Sequence, residues 1–169
     1  MSMDILGGWL LNNVDQGEYM SSQNGEKALN AAIIRANISE SFEEYLKIFD
    51  AFYADDIEVR DETSDEPIRG KSRVRSILFD FLVPLHIMAE VGGLSTSIHE
   101  TSISGDIAGE THSAWTMRLK APSGSSCTLS WSVVRRWNGS HVVYERHYDH
   151  HQSGGPLTVD DFNLNAAGA

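Results

Sequence analysis

The apolar positions of the chain follow two rhythms, one after the other. From Glu26 onward, Leu29, Ala32, Ile33 and Ala36 recur at the i, i+3, i+4, i+7 spacing of one buried helical stripe. Ser39 or Ser41 then reads as an N-cap, and Ser41 with Glu44 fits a capping box. A second helix follows, with Phe42, Tyr45, Leu46, Phe49 and Tyr53 as its apolar face. A short strand at 57–60 carries Ile57 and Val59, and a loop of Asp, Glu, Thr and Ser leads to Pro67. Gly70 and Ser72 open a third helix with Val74, Ile77, Leu78, Phe81 and Leu82 in its stripe, and Pro84 is expected to stop it.

Beyond Pro84 the period changes from 3.6 to 2. Residues 94–104, 107–119, 127–137 and 140–149 read as strands, joined at Gly105-Asp106, Pro122-Ser123-Gly124 and Asn138-Gly139. Asn138-Gly139 supplies the positive φ angles of a two-residue hairpin, so the sheet is expected to be antiparallel. Three helices followed by a meander predict an α+β protein with the helices on one face of the sheet. Residues 1–24 stand apart as an N-terminal arm that docks Trp9 and Leu10 on the domain or closes over a cavity as a lid. Residues 25–151 form the domain, and 152–169 are a C-terminal tail, expected to fray after Gly154.

A chain of 169 residues is long enough to bury one core without disulfides. Its net charge of -11 argues against nucleic acid and anionic membrane as partners, because both are polyanions. A neutral or apolar small molecule, or another copy of the chain, suits it better. Cys127 is the single cysteine and cannot form an internal disulfide. No basic leader precedes an apolar run at the N-terminus, and no run reaches the roughly 20 apolar residues of a bilayer span. A cytoplasmic location is the expectation.

Two places carry candidate chemistry. Asp61 lies at the end of the 57–60 strand, where enclosure would raise a carboxyl toward the range of a base; an ordinary loop carboxylate is the alternative. On the last strand, alternation puts His141, Val143, Glu145, His147 and Asp149 on one face. Glu, His and Asp in succession on a buried face must be paired or functional. His147, Asp149, His150 and His151 have no recognisable metal-ligand spacing, and His112 is the one further strand donor, so proton transfer is expected rather than metal binding. Trp115 and Trp131 belong to a core or to a pocket wall, which are built from the same residues. No phosphate-binding glycine loop and no Gly-x-Ser-x-Gly elbow occurs, and no cofactor is expected.

The segment YADDIEVRDETSDEPIRGKSRVRSIL at 53–78 resembles nuclear transport factor 2-like proteins, and especially the ketosteroid isomerases among them. The ending RRWNGSHVVYERHYDHH at 135–151 is similar to the final hairpin of SnoaL-like polyketide cyclases. The resemblance implies a cone: a strongly curved antiparallel sheet wrapped around three N-terminal helices, with an interior pocket, in a homodimer packed through the outer sheet face. It aligns Asp61 with the isomerase base and Asp149 with the cyclase acid. Asn37 and Val133 stand where the isomerases carry their two oxyanion donors. Limonene epoxide hydrolase, of the same superfamily, uses an Asp-Arg-Asp relay; Arg118 and Asp149 are present here, while Lys120 occupies the remaining acid position.

The resulting expectation is a cofactor-free isomerase, cyclase or lyase acting on a small hydrophobic carbonyl compound, polyketide- or terpenoid-like. Asp149 is the expected base, His147 or His112 its partner, and Asp61 a second acid. Tyr53, Phe81, Trp115, Arg118 and Trp131 are the candidate substrate contacts. A non-catalytic binding or assembly module of the same fold is the alternative.

Overall fold

The computed structural model describes residues 7–36, 42–104 and 109–162, with side chains for 22–36, 43–100 and 109–162. Three helices, α1 (Gly7–Ala36), α2 (Phe42–Phe52) and α3 (Lys71–Glu90), combine with six strands: β1 (Tyr53–Asp61), β2 (Ile68–Arg69), β3 (Ser95–Ser104), β4 (Glu110–Lys120), β5 (Ser126–Asn138) and β6 (His141–Ser153). The sheet order is β2-β1-β6-β5-β4-β3.

The sheet is mixed, not wholly antiparallel. β1 runs parallel to β6, while every other neighbouring pair is antiparallel. Turn residues announce hairpins between strands adjacent in sequence; they carry no signal for β1, whose partner lies some ninety residues away. β2, two residues long, was hidden within the polar loop before Gly70.

Several element ends differ from the sequence expectation. α1 begins at Gly7, so the helix expected from Glu26 is the second half of a longer one that includes most of the presumed arm. The docking or lid role of Trp9 and Leu10, the Ser39 or Ser41 cap, Asn37 and the Gly105-Asp106 turn lie outside the described residues or side chains. α3 runs through Pro84 to Glu90. Pro84 is exposed, and on a solvent-facing side of a helix water can satisfy a carbonyl that a proline frees. The hairpin between β5 and β6 is shifted by one residue. Asn138 pairs with His141, the turn residues are Gly139 and Ser140, and Gly139 alone takes a positive φ of 60°, as a type II′ turn requires. Of the tail expected to fray after Gly154, the described part, residues 155–162, is tied down: Asp161 accepts from Thr158 N at 2.7 Å and from Ser123 Oγ at 2.8 Å.

The core forms where α1 and α2 cover the inner face of the sheet. Leu29, Ile33, Phe49, Tyr53, Ile57, Trp115, Val133 and Val142 form one cluster, and Leu46, Leu82 and Met117 a second. α1 approaches β5 closely at Gly25, where an added Cβ would meet the Trp137 ring at 3.0 Å. That contact seats the next residue, Glu26, against the sheet. Ile77 and Phe81, expected in the buried stripe of α3, are instead 43% and 52% exposed.

Two bulges in β6 decide which of its residues face inward. Arg136 pairs with Tyr144 and Trp137 with Val142, leaving Val143 as an extra residue. Val142 and Glu145 are therefore both buried although they differ in parity. Farther on, Ser132 pairs with Tyr148 and Ser130 with His151, so Asp149 and His150 oppose Trp131 alone.

Candidate active site

From Val133 onward burial alternates along β5, and Leu129, Trp131, Val133, Arg135 and Trp137 share its inner face. That phase carries Arg135 into the core, where it is 3% exposed. A buried guanidinium must be paired. Its Nε donates to Glu145 Oε2 at 2.6 Å, and its Nη1 donates to Glu26 Oε1 at 2.7 Å and to Asn30 Oδ1 at 3.0 Å. Nη2 is the nitrogen these bonds leave free.

Glu26 is fully buried and fully occupied. Ser113 Oγ and Thr111 Oγ1 donate to its two oxygens at 2.5 and 2.8 Å, and Asn30 Nδ2 donates at 3.2 Å. Trp137 Nε1 in turn donates to Thr111 Oγ1 at 2.9 Å. Asn30 also donates to Glu100 Oε2 at 2.9 Å, and burial pushes the Glu100 carboxyl up from its ordinary value.

Glu145 is the other buried acid, with a different neighbourhood. Tyr53 donates its hydroxyl to Oε2 at 2.5 Å, and His147 Nε2 lies 2.7 Å from Oε1. Burial opposes the charge on Glu145, but Arg135 and then His147 and Tyr53 outweigh it and hold the carboxyl well below the usual range. Burial raises the Tyr53 phenol well above its ordinary value, and it pushes Tyr45 up to about 12 with help from Glu145. Both phenols are neutral hydrogen-bond donors at physiological pH.

Beside this network lies a cavity of about 490 Å³. Ile33, Ile98, Met117, Leu129 and Val133 make its walls apolar, together with Trp115 and Trp131, whose rings stand 6.5 Å apart and 13° from parallel. Tyr45, Arg135 and His147 supply polar groups to the lining, and Asp61, His150, His151 and Gln152 add others from the end of β1 and the far end of β6. An apolar chamber with a few convergent polar groups is the usual form of a small-molecule site.

The candidates from the sequence divide accordingly. His147, Asp61, Phe81, Trp115 and Trp131 all line the cavity. Tyr53 stands behind it, bonded to Glu145. His112 and Arg118 do not come to it, because inward Thr111, Ser113, Trp115 and Met117 leave them on the opposite face of β4. His112 pairs with Glu110 at 3.2 Å, and Arg118 is exposed. Asp149 does not reach the cavity either. The second bulge gives it a φ of 60° and turns it outward, where it meets His151 at 3.1 Å. Among the described residues, no group of three or more His, Cys, Asp or Glu side chains is arranged to hold a metal ion.

Sequence reasoning passed over Arg135 and Glu26, weighed His150 only as a metal ligand, and placed Tyr45 only on the apolar face of α2. The first two had a legible signal. Arg135 continues the phase of Leu129, Trp131 and Val133, and Glu26 with Asn30 lies on the same helical stripe as Leu29 and Ile33. A charge in phase with an apolar face predicts a buried partner.

No protein-family model matches the chain, and no curated protein does so. Solved structures do. A nuclear transport factor 2-like protein of unknown function from Cytophaga hutchinsonii superposes with a TM-score of 0.50 at 11% identity, over 72% of this chain and 96% of that one. An LEH-like epoxide hydrolase from M. tuberculosis gives 0.52 at 16% identity, over 78% and 84%. A candidate polyketide cyclase from Xanthomonas campestris gives 0.53 at 12%, over 78% and 92%. The chain has the nuclear transport factor 2-like fold. Among the described residues, no helix is long and apolar enough to cross a membrane.

Proposed function

We propose that the chain is a cofactor-free enzyme that moves protons on a small apolar carbonyl compound, polyketide- or terpenoid-like, in an isomerisation, cyclisation or elimination. The observation that carries this reading is the pairing of His147, on the cavity wall, with the buried carboxylate of Glu145 at 2.7 Å. An ionised Glu145 only accepts hydrogen bonds, so it holds the proton of His147 on Nε2 and leaves a lone pair on Nδ1. That nitrogen is the base for a proton on the carbon next to the carbonyl.

The negative charge that develops on the carbonyl oxygen needs donors in a site with little water. The neutral Tyr45 hydroxyl and Arg135 Nη2 are the candidates, since both side chains line the same cavity. By the resemblance Val133 stands at one of the isomerase donor positions, and its side chain carries no donor. The apolar walls exclude water and strengthen both interactions. The likeness to a candidate polyketide cyclase and to an epoxide hydrolase supports an enzyme of this general kind.

A second reading is favoured by one feature. Arg135 lies between two carboxylates, Glu26 and Glu145, as an acid–guanidinium–acid relay for water attack on an epoxide would require. It ranks second because Glu26 has no exposed surface and is saturated with donors, so it cannot reach a substrate. Homodimerisation through the outer sheet face and closure of the sheet into a cone remain part of the proposal by resemblance; sedimentation tests the first.

The test is proton exchange on a bicyclic ketone, β-tetralone, in heavy water, followed by NMR. The protein is expected to accelerate loss of the protons beside the carbonyl over buffer. Saturable quenching of tryptophan fluorescence by the ketone without any exchange would mark a binding module instead.

A further inference from the structure

α3 buries Val74 and Leu82 and turns a second apolar stripe toward solvent. Ile77, Phe81, Pro84, Met88 and Val91 follow one another at alternating steps of four and three, which is one face of a helix. Ile87 flanks them. Ile77, Phe81, Ile87 and Val91 are each about half exposed, between 43% and 52%. Arg73, one turn before Ile77, ends the stripe in that direction.

Phe81 belongs to the cavity as well. The lining residues that are exposed mark its mouth: Phe81 on one element, and His150, His151 and Gln152 at the end of β6. The polar part of this rim is paired within itself. His150 Nε2 lies 3.2 Å from Asp61 Oδ2, and His151 Nε2 lies 3.1 Å from Asp149 Oδ1. The apolar part is unpaired, and through Phe81 the inner wall continues onto the open face of α3. The portion of a ligand that projects from the cavity gains most there, since apolar surface leaves water and no polar pair is broken.

Two other occupants fit less well. At about 100 Å² for each half-exposed large side chain, the stripe offers on the order of 400–500 Å², whereas a second copy of the chain needs about 800 Å² from each partner. An anionic membrane is opposed by the net charge of -11.

We infer that the stripe from Phe81 to Val91 holds an apolar tail of the substrate. The compound is then elongated, with a carbonyl-bearing head inside the cavity and a straight alkyl chain outside it, along α3. This rests on the reading of the cavity as a site for carbonyl compounds and adds the shape of the substrate to it. The helix rises about 15 Å between Phe81 and Val91. A cavity of about 490 Å³ is filled by a bicyclic head with roughly six methylenes, so the methylenes beyond these lie on the stripe.

The experiment uses the full chain and β-tetralones that carry a hexyl or a dodecyl chain on the aromatic ring, delivered from cyclodextrin. Dissociation constants are read from quenching of tryptophan fluorescence. The wild type should bind the dodecyl compound at least about tenfold more tightly than the hexyl one. Ile87→Asp, which puts a charge in the path of the tail, should reduce this preference to less than about threefold. Ile34→Asp, at an exposed apolar position on α1 away from the stripe, should retain it. Both positions are exposed, and circular dichroism confirms that each variant is folded. Equal affinity of the wild type for the two compounds would overturn the inference, as would a preference that Ile34→Asp lowers as much as Ile87→Asp does. A wild-type dimer that Ile87→Asp dissociates, with no preference for the longer chain, would assign the stripe to a second copy and overturn it too. Each of these results leaves the reading of His147 standing, because that reading fails separately, on absence of exchange in unsubstituted β-tetralone.

Discussion

His147 Nε2 lies 2.7 Å from Oε1 of Glu145, two residues earlier on the same face of β6. The ring contributes to the cavity wall while the carboxylate lies behind it, bonded through Oε2 to Arg135 and Tyr53. On the proposed reading, Glu145 would therefore act on a substrate only through the imidazole. Glu145→Gln replaces an acceptor by an amide that can donate, which releases the Nε2–H tautomer. We expect kcat to fall about 10²-fold or more with KM little changed. Steady-state kinetics of the folded variant checks this.

Arg135 neutralises two buried acids from different elements, Glu26 on α1 and Glu145 on β6. Removing a partner of a buried ion pair leaves uncompensated charge, which costs about 3–5 kcal/mol. Arg135→Met should show that loss in urea denaturation, whereas Arg136→Met, on the exposed side of β5 with a surface pair to Glu110, should cost less than about 1 kcal/mol.

Acid should loosen the same network. The folded Glu145 carboxyl lies below its ordinary value of 4.5, so its contribution to stability is complete above that value and is lost as the pH falls below it toward the folded pKa. Denaturation midpoints should therefore drop on acidification from about pH 5 toward pH 3. Glu145→Gln should have a lower midpoint at neutral pH and a shallower decline.

Asp149 holds a left-handed backbone conformation with its side chain in solvent. Asp149→Gly should be neutral or stabilising, since glycine adopts this φ freely, and Asp149→Val should cost about 1–2 kcal/mol. Thermal or urea denaturation distinguishes them.

How far the sequence foretold this molecule depended on whether a feature was local. The helical stripes of α1 and α2 and the alternation of β3 to β6 were readable because each buries a periodic face. β1's parallel pairing with β6 was not, since it joins segments with no turn between them. The faces of β6 were misread for a specific reason. Strict alternation puts Glu145, His147 and Asp149 together, but bulges at Val143 and at Asp149–His150 break the phase twice. The first brings Glu145 in beside Val142; the second sends Asp149 out and His150 in. The acid that the resemblance pointed to is thus displaced by backbone geometry that no local residue pattern announces. Arg135, by contrast, stood in plain phase with its apolar neighbours.

The central claim is that proton transfer belongs to His147 and not to Asp149. The most direct measurement is exchange of the protons beside the carbonyl of β-tetralone in heavy water, with His147→Ala and Asp149→Asn compared side by side. His147→Ala should lose about 10²-fold of the exchange rate and regain part of it on addition of free imidazole, while Asp149→Asn stays within about twofold of the wild type. Loss of exchange in Asp149→Asn with His147→Ala unaffected would contradict the account.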